Sequence, residues 1–526
     1  MNNYQTKRSW MQIMTLLIGL LCALASCNSA KKVRAVTYSD FPNIVILYAD
    51  DMGYGDLAIQ NQGSKIPTPN LDQLAREGMR FTDGHSSSGI CTPSRYALLT
   101  GRHHWRKFHG IVESFGPSVF DEDRLTLPEM LKEKGYKTAC IGKWHLGFDW
   151  TSLLKPGFDL PERGKNAAAT NFDWSKKIPD GPTAHGFDYY FGDDTPNFPP
   201  YGWIENDSMQ VAPTKSYKAN PKPLEGKTEL RPGPGVEDWR LDSVMPALTK
   251  KAVAWITNQR NTGVPFFLYF PWTSPHTPIV PVEAFHGKSG AGPYGDFMVQ
   301  SDWTAGQVLR ALKDNGFEEN TIVIFTSDNG SEFYMIERLL NYEHNSSGSY
   351  RGIKRDIYEG GHHVPFIVKW PGVTQPSSVS NALISQVDIM ATIAAALGYN
   401  LPKEQCEDGL NMLPVFTGEK MSVRKNLIMN TQSEKYGIRN GDWTLILDTK
   451  MEFNKPWMQI PDNTEFLREH GFYNEDKPMA LYNLVQDNAQ RNNLVDQYPE
   501  KVKQLQELLH EIRDKGYPEK HKMVQK

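Results

Sequence analysis

The 526 residues carry 39% hydrophobic, 22% charged and 11% aromatic side chains, enough apolar material for a large core and too much for a disordered or fibrous chain. Lysine and arginine number 57 against 61 aspartate and glutamate, a balance of −4 without a long basic run, which excludes a nucleic-acid binder held by phosphate contacts. Five cysteines, at 22, 27, 91, 140 and 406, are too few for a disulfide scaffold and too scattered for a structural zinc site.

In chain order, Lys7 and Arg8 precede an apolar stretch from Met14 to Ala25, the charged and apolar regions of a secretory signal, too short to span a bilayer. Leu24-Ala25-Ser26-Cys27 resembles a bacterial lipobox. This predicts a signal peptide over 1–26, lipidation of Cys27 and a tether over 27–40, with the membrane met only through that lipid. The chain is then exported and anchored facing the periplasm or the cell surface. Ile44 to Tyr48 is a continuous apolar, β-branched run that suits a strand covered on both faces, and Asp50-Asp51 follows it. Helical patterns occupy 70–78 and 127–135. Between them, Cys91 heads a segment whose helix is expected from Tyr96 to Thr100, closed by Gly101, which places the thiol near a helix N-terminus.

Phe266 to Phe270 and Thr321 to Thr326 repeat the buried-strand pattern, the second followed by Asp328-Asn329, and 364–369 looks similar. Strands alternating with helices predict a large α/β domain over 41–420: a doubly wound mixed sheet flanked by helices, with ligands at the carboxyl ends of its strands. Residues 150–184 and 199–236, rich in Pro, Gly, Asn and Lys, read as long inserted loops. From 421 to 526 the pattern becomes antiparallel: short strands at 427–429, 436–439, 443–447 and 481–484, a turn at Asn440-Gly441, and an amphipathic helix over 499–515 with Val502, Leu505, Leu508 and Ile512 on its apolar face.

Asp50, Asp51, Asp328 and Asn329 offer only oxygen, at the ends of two buried strands. That set suits a hard divalent cation, calcium before magnesium. The adjacent histidine pairs 103–104 and 362–363 lack the i, i+4 spacing of a helical zinc site.

Cys91-Thr92-Pro93-Ser94-Arg95 resembles the C-x-P-S-R core of the type I sulfatases of the alkaline phosphatase superfamily, whose cysteine is oxidised to formylglycine. The likeness continues in order: Pro42 to Asp56, Thr68-Pro69-Asn70-Leu71-Asp72, Gly142-Lys143-Trp144-His145-Leu146-Gly147, Pro275-His276-Thr277-Pro278, Ser327-Asp328-Asn329-Gly330, Arg351-Gly352-Ile353-Lys354 and Glu359-Gly360-Gly361. It implies an enzyme similar to the arylsulfatases and N-acetylgalactosamine-6-sulfatases that cleaves a sulfate ester from a glycan, matured by a formylglycine-generating or anaerobic sulfatase-maturating enzyme.

It also implies roles. One hydroxyl of the hydrated aldehyde at 91 attacks sulfur and the other, once deprotonated, expels sulfate. Asp50, Asp51, Asp328, Asn329 and residue 91 hold the metal. Arg95 holds the nucleophile, Lys143 and Lys354 bind sulfate oxygens, His145 takes a proton and His276 donates one to the departing sugar oxygen. His104, Arg106, Asp194 and His363 are the candidates for recognising the sugar, with a galactose or N-acetylgalactosamine sulfate preferred. A phosphate or phosphonate monoester hydrolase and an idle glycan-binding relative are the alternatives. Cys140 and Cys406 read as buried thiols, with a disulfide between them as the other option.

Overall fold

The computed structural model describes residues 41–162, 167–218, 230–451 and 464–520; the signal segment, Cys27 and the tether lie outside them. Among the described residues ten strands form the main sheet: β1 (Asn43–Asp50), β2 (Met79–Phe81), β3 (Lys137–Ile141), β4 (Tyr189–Gly192), β5 (Ile204–Glu205), β6 (Ser208–Met209), β7 (Phe266–Pro275), β8 (Thr321–Ser327), β9 (Phe366–Lys369) and β10 (Ser378–Ser380). Their spatial order is β10-β2-β9-β8-β1-β7-β3-β4-β5-β6. The centre, from β8 to β4, is parallel, whereas β9 runs antiparallel to β8 and to β2, and β5 antiparallel to β4. The mixed sheet is therefore as expected. Strand β9 shows what an apolar run leaves open, since burial on both faces fixes a central position and not a direction.

Alternate residues of β1 feed two cores. Ile44, Ile46 and Tyr48 pack with the helices Cys91–Thr100, Leu127–Glu133 and Asp388–Ala396, while Val45, Leu47 and Ala49 pack with Pro69–Glu77, Val244–Asn258 and Gly292–Asp314. The period of two along a strand makes this division, and helices on both faces explain why β1 carries no polar alternation. The expected loops are less bare than their composition suggests: they contribute β5 and β6 and a small hairpin pairing Lys215–Tyr217 with Gly233–Gly235.

The C-terminal strands Asn426–Asn430, Tyr436–Asn440, Trp443–Ile446 and Ala480–Asn483 form an antiparallel meander, with Gly441 at φ 56 in its tightest turn. One face, with Ile428, Ile438, Leu445 and Leu481, is covered by Val502, Leu505, Leu509 and Ile512 of the final helix; Leu509 takes the central place expected for Leu508. The other face, with Leu427, Met429, Ile446 and Tyr482, packs on Phe333 to Tyr358. This sheet thus backs the segment that carries Lys354.

Cys140 and Cys406 are free and buried, so the disulfide option is not realised. Cys140 belongs to β3, and Cys406 lies against Gly101, where an added Cβ would meet its Sγ at 2.2 Å. Among the described residues no helix is long and apolar enough to cross a membrane.

Candidate active site

Strands β1 and β8 pair in parallel register, Ala49 opposite Ser327, so the residues after them meet side by side. The Asp51 N–H donates to Asp328 Oδ1 at 3.1 Å, and Asn329 Nδ2 donates to Asp51 Oδ1 at 2.7 Å. Cys91 is the first residue of its helix, five residues earlier than expected, and Pro93 is tolerated there because it lies in the first turn, where a missing N–H costs nothing. Arg95, four residues on, shares its face. The Arg95 guanidinium donates to Asp328 Oδ2 at 2.7 Å and to the Lys143 carbonyl at 3.1 Å, and lies 3.6 Å from Asp50 Oδ1.

Lys143 follows β3 through Gly142, whose φ of 129° and approach to the Pro271 carbonyl, 2.1 Å from a Cβ built there, admit only glycine. The Lys143 ammonium is 2.7 Å from Asp50 Oδ2, and that of Lys354 is 2.6 Å from Asp51 Oδ1. The sequence-predicted set of Asp50, Asp51, Cys91, Arg95, Lys143, His145, His276, Asp328, Asn329 and Lys354 is brought together, every member buried or nearly so.

Three oxygens in this cluster are buried without a hydrogen-bond partner: Asp50 Oδ1, Asp51 Oδ2 and Asn329 Oδ1. Orphaned oxygens of this kind are costly unless a cation uses them, and their hardness fits calcium or magnesium. Burial, and then the neighbouring Asp50 carboxylate, pushes the Asp328 pKa up to about 6. Burial also works against the Asp51 carboxylate, yet Lys354, His276 and Lys143 hold it well below the usual range.

The two histidines differ. His145 Nε2 is 2.9 Å from the Val112 carbonyl and therefore carries the proton, while Nδ1 is bare and without a partner. Burial, then Lys143 and Arg95, hold this ring neutral, which leaves the Nδ1 lone pair free. His276 Nδ1 donates to the Thr277 carbonyl at 2.5 Å, and Nε2 lies 3.8 Å from Asp51 Oδ2. Burial and then Lys143 push its pKa down to about 3, a tendency that the negative charge of a bound ester opposes. Burial pushes the Cys91 thiol up despite Lys143 and Lys354, so the unmodified side chain is a protonated thiol and not a thiolate nucleophile.

A cavity of about 70 Å³ opens over Cys91, lined by His145, Asn197, Arg231, His276 and Lys354 among others. Asn197 and Thr195 each have an oxygen without a partner. Arg231 lies 3.6 Å over the Phe198 ring and pairs with Glu113, while Glu332 and Arg355 pair at 2.6 Å. Sequence reasoning missed these residues. The available signal was the polar run after β4 and the position of Arg231 in a long inserted loop, which is where binding groups concentrate.

The four candidates for sugar recognition are placed differently. Asp194 accepts the backbone N–H of His145 at 2.9 Å and so fixes the main chain that carries this ring, with burial pushing its pKa up to about 6. Its neighbour Asp193 has both carboxylate oxygens unpartnered and is pushed up to about 7, first by burial. His104 is fully buried, its Nε2 2.9 Å from Asn430 Oδ1, and Arg106 forks onto Asp408 at 2.8 and 2.7 Å. Neither lines the Cys91 cavity. At about 1.5 Å per residue, the ten-residue helix carries its far end about 15 Å from Cys91, so closeness in sequence is not closeness in space. His363 lines a separate cavity of about 460 Å³ with Asp83, Tyr350, Glu359 and Arg439.

Arg106→Ala is accordingly expected to destabilise the fold by about 3 kcal/mol, because it strands the buried Asp408 carboxylate, and to leave KM unchanged. Denaturant midpoints and KM on one substrate check this; a raised KM at an unchanged midpoint would return Arg106 to the substrate site.

The sulfatase family model matches residues 42–399, the span that contains every residue of the cluster. An N-acetylgalactosamine-6-O-sulfatase of Bacteroides thetaiotaomicron is 31% identical over 538 residues, covering 95% of this chain and 99% of its own. Arylsulfatase A of Bos taurus is 31% identical over 480 residues, covering 87% and 84%. A solved structure from work on the metabolism of multiple glycosaminoglycans by B. thetaiotaomicron superposes with a TM-score of 0.77 at 31% identity, over 91% of this chain and all of that one. Buried cations, orphaned acidic oxygens and a cysteine at a helix start thus meet end-to-end likeness, and the chain belongs to the sulfatase family, hydrolases of sulfuric esters.

Proposed function

We propose that the protein removes an O-sulfate, with the 6-position favoured, from a galactose or N-acetylgalactosamine unit of a sulfated glycan. The observation that carries this reading is the alignment with an N-acetylgalactosamine-6-O-sulfatase over 99% of that protein's length. Cys91 would be converted to formylglycine, whose hydrate supplies one hydroxyl to attack sulfur and a second to expel the sulfate. Asp50, Asp51, Asp328 and Asn329, with residue 91, would hold Ca2+, or Mg2+ in its place, which supplies positive charge for a sulfate oxygen.

The remaining work falls to side chains already in position. Lys143 and Lys354 are anchored on Asp50 and Asp51 and present fixed cations to the sulfate oxygens, so little reorganisation is needed as charge develops. Arg95 is locked by Asp328 and the Lys143 carbonyl and, one helical turn on from residue 91, would brace it. His145 Nδ1 receives the hydroxyl proton. As the S–O bond to the sugar breaks, His276 Nε2 gives a proton to the departing oxygen. The signal segment and Cys27 are proposed to export the chain and tether it by lipid, with a mature N-terminus at Cys27.

Mass spectrometry of the Cys91 peptide, after expression with a formylglycine-generating enzyme, tests the reading alongside sulfate release from 6- and 4-sulfated N-acetylgalactosamine. Full activity with the thiol intact rejects the nucleophile; equal rates on both esters reject the preference for position 6. A second expectation concerns His276→Ala. It should slow hydrolysis of a sugar sulfate by roughly 100-fold or more and an activated aryl sulfate far less, since a good leaving group needs little protonation. Equal losses on the two would remove its role as acid.

A further inference from the structure

Behind the turn that carries Asn329 lies a second group of metal-type side chains that sulfate chemistry does not use. His85, on the short strand Gly84–His85, and His362, closing the turn Glu359–His362, are 0% and 1% exposed, and their Nδ1 atoms lie 3.0 Å apart. The far nitrogen of each ring is committed. His362 Nε2 is 2.9 Å from the Ile357 carbonyl, which only accepts, so that nitrogen carries a proton. His85 Nε2 donates to Asp83 Oδ1 at 2.7 Å, an oxygen that Arg439 also holds at 2.6 Å. Neutral rings so oriented turn bare lone pairs toward each other, an arrangement that repels unless a cation lies between them.

Glu359 completes the group. It is 1% exposed; Oε2 lies 2.9 Å from His363 Nδ1, and Oε1 has no partner. One ligating atom from each of His85, His362 and Glu359 lies within 4.8 Å of the others. A proton shared by the two rings would make one of them a buried imidazolium and leave Glu359 Oε1 bare. A divalent ion satisfies all three atoms.

We propose that His85 Nδ1, His362 Nδ1 and Glu359 Oε1 form a second metal site, separate from the acidic one beside Cys91, that takes Zn2+. Two imidazoles and one carboxylate favour this borderline ion over calcium. Two nitrogens bound to a tetrahedral zinc stand about 3.3 Å apart, so a shift of a few tenths of an ångström seats the ion. The outer partners are those that zinc-binding histidines use, a carboxylate for His85 and a backbone carbonyl for His362. Glu359 also lines the 460 Å³ cavity, which offers the ion a route in.

The site ties two functional segments together. The Ser86 N–H donates to the His362 carbonyl at 2.8 Å at the start of the loop that leads to Cys91, and the Gly330 N–H donates to Gly361 at 2.9 Å immediately after Asn329. An ion between His85 and His362 would fasten the nucleophile loop to the turn behind the acidic site.

The test uses the full chain without a polyhistidine tag, held in excess Ca2+ so that the hard site is filled, then loaded with Zn2+ and dialysed. One zinc per chain is expected in the wild type and close to none in His362→Gln, with X-ray absorption showing two imidazole nitrogens at about 2.0 Å. If His362→Gln does not fold, the wild-type absorption spectrum decides alone. A wild type that loses its zinc on dialysis, or that holds it in an oxygen-only shell, overturns the site and leaves a proton-bridged pair.

Discussion

Cys91→Ala is expected to lower sulfate release by roughly a million-fold, the scale of losing a nucleophile in other covalent hydrolases. The fold should tolerate the change. Cys91 opens a helix, alanine is the better helix former, and the lost sulfur borders an existing cavity, so the stability cost stays near 1 kcal/mol. Ion chromatography of released sulfate with a thermal melt of the same sample separates the two effects. An unchanged melt with more than about 1% of wild-type turnover, far above the residue expected without a nucleophile, would place the attacking group elsewhere.

Asp328 carries the second large effect. Its two oxygens serve the Asp51 N–H and the Arg95 guanidinium, and the acidic site loses one of its three carboxylates when it is replaced. Asp328→Ala removes several kcal/mol of charge stabilisation and is expected to cut turnover roughly a thousandfold or more while emptying the metal site. The same change takes from Arg95 its nearest carboxylate and leaves it the Lys143 carbonyl and the more distant Asp50, at a stability cost of about 3 kcal/mol. Asp328→Asn keeps the acceptor for the Asp51 N–H and serves as the milder control. Elemental analysis and turnover measured together decide the matter: wild-type rates in a variant shown to hold no metal reject the assigned ligands.

Much of this was legible in the sequence, for reasons that differ by element. The central strands announced themselves because both faces are buried, as in Ile44 to Tyr48, and the Asn440-Gly441 turn because its geometry selects its residues. Residues at the strand ends inherited their places from those strands, which is why Asp50 and Asp328 could be paired across 278 positions. Side chains placed by tertiary contact left no such trace. His104 and Arg106 look like pocket residues beside Cys91, but the helix between them leads to the C-terminal unit. Sequence spacing gave His362 no partner because it searched along one helix, whereas the ring nitrogen 3.0 Å from its own belongs to His85, 277 residues away.

The pairing of Arg95, Lys143 and Lys354 with Asp328, Asp50 and Asp51 has an electrostatic corollary. These three cations and three carboxylates cancel, so an anionic ester gains no net attraction from this set of six side chains. A divalent ion would supply the whole surplus of positive charge. Ion and anion should then bind with positive linkage, each raising the other's affinity by the same factor. Free sulfate, the doubly charged product, matches that surplus in full, and product inhibition that fades as the divalent ion is withdrawn is its expected kinetic sign.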